Sequence, residues 1–229
     1  MDAMAIRLQG ICKSFKTAHS GGFAALKDID AVIRGRSVTV FKGPSGSGKT
    51  TMLSLIGAMS RPTSGRIWIG DTEISGLPER FLADIRRRRF GFVFQNFHLI
   101  PGVTVLENIM VPSYPTRASN RRIRQRAEAL LEQLEIGSKA GLRAEYLSGG
   151  EQQRAAIARS LINDPEFVIA DEPTAHLDTA LAGRFLEIAV HLKNAGKTVL
   201  LASHDPLIFE SEIVDQVIEL RDGRIVKEP

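Results

Sequence analysis

The sequence has a single cysteine, Cys12, and it contains neither a CxxC motif nor a cluster of cysteine and histidine. One cysteine cannot form a disulfide within the chain, and no thiolate metal site is indicated. This usage is typical of a reduced compartment, so a cytosolic setting is expected. A run of about 18 to 20 apolar residues, as a membrane-spanning helix needs, is also lacking. Because the N-terminus has no signal-peptide stretch either, any membrane role is expected to come through a partner.

Aromatic residues make up only 6% of the chain, which bears on the meaning of its net charge of +4. The densest basic run covers residues 86–89, and a second group of arginines covers 121–126. We interpret both as solvated helix faces, with contact to an anionic partner or lipid headgroups left open as the alternative. No aromatic side chains are interleaved with these arginines for base stacking, so no nucleic-acid partner is expected.

Short apolar runs alternate with amphipathic segments along the 229 residues, which predicts an α/β fold with a mainly parallel sheet. Buried strands are predicted at 37–41, 167–170 and 198–202, and a helix at 51–59. A small antiparallel sheet is predicted from 6–11, 31–33 and 66–69. The stretch 78–163 is read as mostly helical, with an amphipathic helix at 119–134. The predicted organisation is one domain, 1–229, with a nucleotide-binding core at 1–94 and 164–229 and a helical insertion at 95–163.

The strongest motif is the segment 43–50, which fits G-x-x-x-x-G-K-[ST] and lies between a predicted strand and a predicted helix. Its glycines allow successive backbone N–H groups to face phosphate oxygens, and the helix start adds a positive dipole end. Lys49 is predicted to reach the β- and γ-phosphates, and the Thr50 hydroxyl to ligate Mg²⁺. The predicted nucleotide-binding residues here are Gly43, Pro44, Ser45, Gly46, Ser47, Gly48, Lys49, Thr50 and Thr51.

Two adjacent carboxylates, Asp171 and Glu172, follow the apolar run 167–170. The carboxyl end of a strand is where open α/β sheets bind ligands. Alone, such a pair is more often a solvated loop. Together with the phosphate loop it predicts a catalytic site, in which Asp171 holds Mg²⁺ and Glu172 orients and polarises the attacking water.

The segment 147–154, LSGGEQQR, is more specific than the phosphate loop. Ser148, Gly149, Gly150 and Glu151 offer a hydroxyl and backbone N–H groups at a helix start, which is a second anion site. Ser148 and Glu151 also fit a capping box, and that role is compatible with the first. One chain would then carry two phosphate-binding surfaces. This predicts that the segment of one copy closes over a nucleotide held by a second copy.

At this point the sequence resembles the nucleotide-binding subunits of ABC transporters over nearly its whole length. The resemblance implies a P-loop NTPase (RecA-like) core that uses ATP and Mg²⁺. It places Gln95 as the glutamine that senses Mg²⁺ and the γ-phosphate, and His204 as the histidine that contacts the γ-phosphate. It further assigns Asp178 to the dimer interface and Phe15 to stacking on adenine. His176 departs from the small or amide residue that the family commonly has in the segment around this aspartate.

Within the family, the stretches 89–101 and 104–108 are similar to ATPases of the lipoprotein-releasing and macrolide-exporting group. The resemblance implies a homodimer at the cytoplasmic face of a membrane, bound to a separate permease. Amino-acid importers look similar in these stretches, and the group includes cell-division ATPases that regulate wall hydrolases. A soluble ABC-type ATPase acting on DNA or ribosomes is a further alternative, although the long coiled coil or second cassette usual there is lacking. A P-loop kinase or GTPase would leave the LSGGE segment and His204 unexplained.

Overall fold

The computed structural model describes residues 4–16, 22–174 and 179–226. Within these ranges the strands are β1 Ile6–Phe15, β2 Phe23–Ile33, β3 Val38–Lys42, β4 Ser64–Ile69, β5 Thr72–Glu73, β6 Phe90–Val93, β7 Phe167–Asp171, β8 Thr198–Ser203, β9 Gln216–Arg221 and β10 Arg224–Ile225. The α-helices are α1 Lys49–Ile56, α2 Glu79–Arg89, α3 Val105–Met110, α4 Asn120–Gln133, α5 Gly149–Leu161, α6 Thr179–Asn194 and α7 Pro206–Phe209. None of the helices in these ranges is both long enough and apolar enough to cross a membrane.

The larger sheet has the strand order β10-β9-β3-β8-β7-β6. Its five strands from β9 to β6 pair in parallel, and β10 pairs with β9 in the antiparallel direction. Strands β3, β7 and β8 are buried almost throughout, as parallel strands covered on both faces must be. The three predicted buried strands are confirmed to within one or two residues.

The smaller sheet is antiparallel and has the order β2-β1-β4-β5. The predicted segments 6–11, 31–33 and 66–69 all belong to it, although β1 and β2 are longer than predicted. Bulges interrupt the pairing of β1 with β2, so the alternation of apolar and polar residues that marks a half-buried strand is broken there. This explains why the sequence pattern revealed only part of each strand.

The parallel sheet separates two apolar clusters because successive residues of a strand point to opposite faces. In β8, Leu200 and Ala202 pack with α1 and the antiparallel sheet, whereas Val199 and Leu201 pack with side chains of α3, α4, α5 and α6. Helix α1 therefore lies between the two sheets. This arrangement holds the loop that precedes α1 at the carboxyl edge of the parallel sheet.

The stretch 78–163 is less uniformly helical than predicted. Strand β6 lies inside it and pairs with β7, Phe90 lying opposite Phe167. A run of four apolar residues directly after a helix carries no period of its own, so only pairing with β7 identifies it as a strand. Between β6 and β7 the described chain forms α3, α4 and α5, and α4 matches the predicted amphipathic helix, with Ser119 as its N-cap.

The arginine run 86–89 at the end of α2 is engaged within the chain. Arg86 pairs with Glu79 and donates to the Ala58 carbonyl, and Arg89 pairs with Glu166. Arg87 and Arg88 share the carboxylate of Asp84. Each of these four guanidinium groups thus has a carboxylate partner on the chain itself.

Candidate functional site

The phosphate loop runs from the end of β3 to the start of α1, and its glycines are required by the backbone. Gly43 has φ 152° and Gly48 φ 107°, which side chains rarely adopt. A Cβ on Gly43 would lie 2.2 Å from the Leu220 carbonyl oxygen, and one on Gly48 would lie 2.8 Å from that of Ala25. The loop is therefore held tightly between β9 and β2.

Lys49 is the first residue of α1, and its side chain is only 7% exposed. Its Nζ donates to the carbonyl oxygens of Gly43 at 2.7 Å and Pro44 at 3.1 Å. The same ammonium lies 3.4 Å from Glu172 Oε1. The loop thus surrounds the Lys49 side chain, and a buried positive charge lies at the N-terminus of α1.

Asp171 ends β7 in a largely buried position next to this lysine. Burial raises the pKa of its carboxyl group; the Thr50 hydroxyl, by hydrogen bonding, opposes that effect, and the charge of Glu172 adds to it. Its Oδ1 and the hydroxyl of Ser47 are buried and have no hydrogen-bond partner among the described residues. Buried polar atoms normally have a partner, so the two oxygens mark a place where a ligand fits.

Glu172 follows Asp171 with φ 46°, a left-handed conformation that costs a non-glycine residue on the order of 1 kcal/mol or more. A hydrogen bond of 2.9 Å from its N–H to the Ala202 carbonyl holds it there. His204, directly after β8, places Nδ1 2.9 Å from Glu172 Oε2. The carboxylate is consequently fixed by a lysine on one oxygen and a histidine on the other.

These groups surround an open cavity of about 390 Å³. Gln95, Glu172 and His204, which are far apart in the sequence, all line it. The other lining residues are Phe23, Ala25, Pro44, Ser45, Gly46, Ser47, Gly48, Lys49, Thr50 and Thr51. The structure therefore brings the predicted phosphate loop together with the predicted glutamine, glutamate and histidine.

Some predicted residues do not line this cavity, and others fall outside the described part of the chain. Phe15 and the segment 148–151 are not among the described residues that line this cavity. Asp178, together with His176, lies outside the described residues. Of the lining residues, sequence reasoning missed Phe23 and Ala25, which no local motif marks because β2 reaches the phosphate loop only through the fold.

Ser148 is the N-cap of α5, and the predicted capping box is present. Glu151 Oε2 accepts from the Ser148 backbone N–H at 2.8 Å and from its hydroxyl at 2.9 Å. Glu151 Oε1 lies 3.1 Å from Lys139 Nζ. The hydrogen bonds from Ser148, with help from Lys139, lower the pKa of Glu151 to about 2. Lys139, like Phe23 and Ala25, is a residue that the sequence alone did not reveal.

Comparison with known proteins identifies the family. The family described as "ABC transporter" matches residues 26–175. An ABC transporter ATP-binding protein of Thermotoga maritima is 42% identical and covers 84% of this chain and 85% of its own length. YvrO of Bacillus subtilis, described in the same words, is 37% identical, with 96% and 95% covered. The chain belongs to the ABC transporter family, as an ATP-binding subunit and an ATPase, as the sequence predicts.

Solved structures agree with the assignment to the ABC transporter family. A dimeric bacterial ABC transporter cassette, MJ0796, has a TM-score of 0.88 at 37% identity, with 98% of this chain and 97% of that chain covered. A second structure of that cassette, bound to ADP and Pi, has the same TM-score. The predicted fold, a P-loop NTPase core with a small antiparallel sheet, is confirmed.

Longer relatives carry a permease as well. A macrolide export ATP-binding/permease protein of Rhodopseudomonas palustris is 38% identical over 99% of this chain, but the chain spans only 34% of its length. The rest of such proteins has no counterpart in this sequence.

Proposed function

We propose that this chain hydrolyses ATP as a pair, in which two copies enclose two ATP molecules and drive a separate transmembrane permease. The observation that carries the proposal is that the predicted anion site at Ser148 does not line the cavity at the phosphate loop. The cavity at the phosphate loop is lined by Lys49, Glu172 and His204 but not by Ser148, although Ser148 begins a helix whose N-terminus favours anions. A second copy supplies the partner surface most simply, and the dimeric state of the similar cassette supports this.

In the proposed reaction, Glu172 takes a proton from water as the water oxygen attacks the γ-phosphorus and the bond to the β–γ bridging oxygen breaks, giving ADP and phosphate. A positioned base contributes about 100- to 10,000-fold to such a step. Lys49 balances negative charge on the phosphoryl oxygens. His204 holds the Glu172 carboxylate and can reach the γ-phosphate from the edge of β8.

The residues present fit a magnesium ion. The unpartnered Asp171 Oδ1 and the Thr50 hydroxyl are hard oxygen donors next to the phosphate loop, and Mg²⁺ typically uses one or two protein ligands beside phosphate oxygens and water. We propose that Thr50, Asp171 and Gln95 hold it, directly or through water. The ion would neutralise charge on the β- and γ-phosphates.

Coupling to the permease is proposed to run through the helices between β6 and β7. We propose the division predicted from the sequence, a core of 1–94 and 164–229 and a helical subdomain of 95–163. Gln95 supports it, because this residue stands at the boundary and lines the cavity. Closure of the pair over ATP would then move the helical subdomain, and charge repulsion after hydrolysis would reopen it. Asp178 is proposed to cross the interface between the copies, and Phe15 remains a predicted base contact.

A permease of the lipoprotein-releasing or macrolide-exporting type is the proposed partner, which places the chain at the cytoplasmic face of a membrane. The similar macrolide export proteins, which join an ATP-binding part to a permease, support this. Affinity purification from a detergent extract tests the partner. Recovery of a permease is expected, and recovery of ribosomes or DNA instead would overturn the assignment.

The Lys49→Ala variant tests the ATPase itself. Loss of the buried ammonium is expected to lower kcat/KM for ATP by about 100-fold or more, measured as phosphate release. Lys42→Ala is the matched control, because Lys42 forms a partly exposed ion pair with Glu219 at 2.9 Å and such pairs contribute little. Near-normal turnover by Lys49→Ala would remove Lys49 from the phosphate site.

A further inference from the structure

Gln95 lies in a tight turn that follows β6. The turn covers residues 94–97 and is closed by a hydrogen bond of 2.9 Å from the Phe97 N–H to the Phe94 carbonyl. Gln95 is one of its two central residues, and its side chain lines the nucleotide cavity. The direction of this side chain therefore depends on how firmly Phe97, the last residue of the turn, is held.

Phe97 and His98 both have a left-handed backbone, with φ 56° and 48°. This conformation is unfavourable for residues with a side chain, above all for a bulky one, so it persists only where surrounding contacts hold it. Neither residue belongs to a helix or strand, so no helical or sheet hydrogen bonds supply those contacts. Another part of the chain must therefore hold this pair.

Arg159, in the last turn of α5, supplies such contacts. Its guanidinium donates to the Phe97 carbonyl through Nη2 and to the His98 carbonyl through Nη1, each at 2.5 Å. Both acceptors thus belong to the two left-handed residues. A planar, forked guanidinium suits two neighbouring acceptors, whereas a lysine ammonium is a single point charge.

The position of Arg159 is itself fixed by the packing of α5 on β6. A Cβ on Gly91 would lie 2.3 Å from the carbonyl oxygen of Ser160, so the end of α5 lies directly against the backbone of the strand. Burial lowers the pKa of Arg159, because a guanidinium withdrawn from water loses hydration. Such a group needs acceptors from the protein, and the two carbonyl oxygens supply them.

We infer that Arg159 is a positioning residue for the ATPase reaction. By holding the carbonyls of Phe97 and His98, it keeps the turn in the form that directs the Gln95 side chain into the nucleotide cavity. The inference rests on the proposed function, in which Gln95 helps to hold Mg²⁺. A displacement of about 1 Å in a positioning group can lower a rate about 100-fold. Arg159 therefore acts on turnover through Gln95, and not on the affinity of the phosphate loop for ATP.

The test measures ATP hydrolysis by the purified chain at increasing Mg²⁺ for wild type, Arg159→Met, Gln95→Ala and the double variant. Arg159→Met is expected to lower kcat about 10- to 100-fold. The Kd for ATP, measured by calorimetry, should stay within about twofold of wild type, since the phosphate loop is untouched. Both single variants should need more Mg²⁺ for half-maximal activity. In the Gln95→Ala background, Arg159→Met should change kcat by less than about twofold, because no glutamine is left to position.

Two further variants separate the forked contact from a general effect on the fold. Arg159→Lys keeps the charge but cannot hold both carbonyls in the same way, so its kcat is expected to lie between those of wild type and Arg159→Met. Arg121→Met is the control, because Arg121 is an exposed arginine on α4, and it should keep the kcat of wild type. If urea unfolding shows that Arg159→Met does not fold, Arg159→Lys replaces it in both backgrounds.

Two results would overturn the inference. One is a wild-type kcat in Arg159→Met or in Arg159→Lys. The other is an equal fractional loss of kcat in the wild-type and Gln95→Ala backgrounds, which would show that Arg159 supports the fold and does not act through Gln95. Full activity of Gln95→Ala would instead refute the proposed role of Gln95, and failure of wild type to hydrolyse ATP would refute the proposed function.

Discussion

The capping box of α5 allows a stability measurement in which charge and pH act together. Glu151→Gln keeps an oxygen that accepts from Ser148 but removes the negative charge that pairs with Lys139. In the folded chain the pKa of Glu151 is about 2, against an ordinary value of 4.5. At about 1.4 kcal/mol for each pH unit, the full effect would be about 3 kcal/mol. Water reaches this carboxylate, so screening reduces our expectation to about 1 kcal/mol.

The direction in which stability changes with pH follows from the lowered pKa of Glu151. A carboxyl group that releases its proton more readily when folded stabilises the fold above pH 4.5, and this contribution disappears as the pH falls toward 2. Urea unfolding of wild type and Glu151→Gln from pH 7 downward measures it. We expect the wild type to be more stable by about 1 kcal/mol at pH 7, with the difference shrinking below pH 4.5. A difference that is absent at pH 7, or constant with pH, would refute the reasoning.

Two further stability predictions concern buried polar groups. Asn108 is 0% exposed, and its amide accepts from the Ile100 N–H at 2.7 Å and donates to the Ile100 carbonyl at 3.1 Å. Asn108→Leu should therefore lower the free energy of unfolding by about 2–3 kcal/mol, with exposed Asn194→Leu changing it by less than about 0.5 kcal/mol; equal effects in urea unfolding would contradict this. Because burial raises the pKa of Asp171, ionisation destabilises the fold at neutral pH, so Asp171→Asn should raise the urea midpoint of the ligand-free protein at pH 7. That gain should fade as the pH drops and Asp171 takes up its proton. A urea midpoint of Asp171→Asn below that of wild type at pH 7 would show that the charged carboxylate does not destabilise the fold.

The phosphate loop and the capping box were predictable because each is encoded within a few consecutive residues. Gly43 and Gly48 have the backbone conformations and close contacts that the motif requires, and Ser148 with Glu151 needs only one helical turn. The parallel sheet was predictable for a related reason, since buried strands such as β7 are short and uniformly apolar.

What the sequence did not reveal depends on contacts between distant segments. β6 is a strand because Phe90 pairs with Phe167, and Phe23 reaches the nucleotide cavity because a bulge at Ala25 shapes β2 against the phosphate loop. Lys139 pairs with Glu151 across a separate turn. None of these contacts leaves a periodic pattern or a motif in the local sequence.

In the proposed dimer, the terminal phosphate of ATP is held by the phosphate loop of one copy and Ser148 of another. Glu172→Gln should bind ATP without hydrolysing it, and sedimentation of this variant with Mg·ATP measures the assembly directly. A particle of twice the 25.1 kDa chain is expected, and adding Ser148→Arg, whose side chain would crowd the phosphate, should return it to single chains. If Glu172→Gln with ATP sediments as single chains even at high concentration, with or without its permease, the claim is wrong.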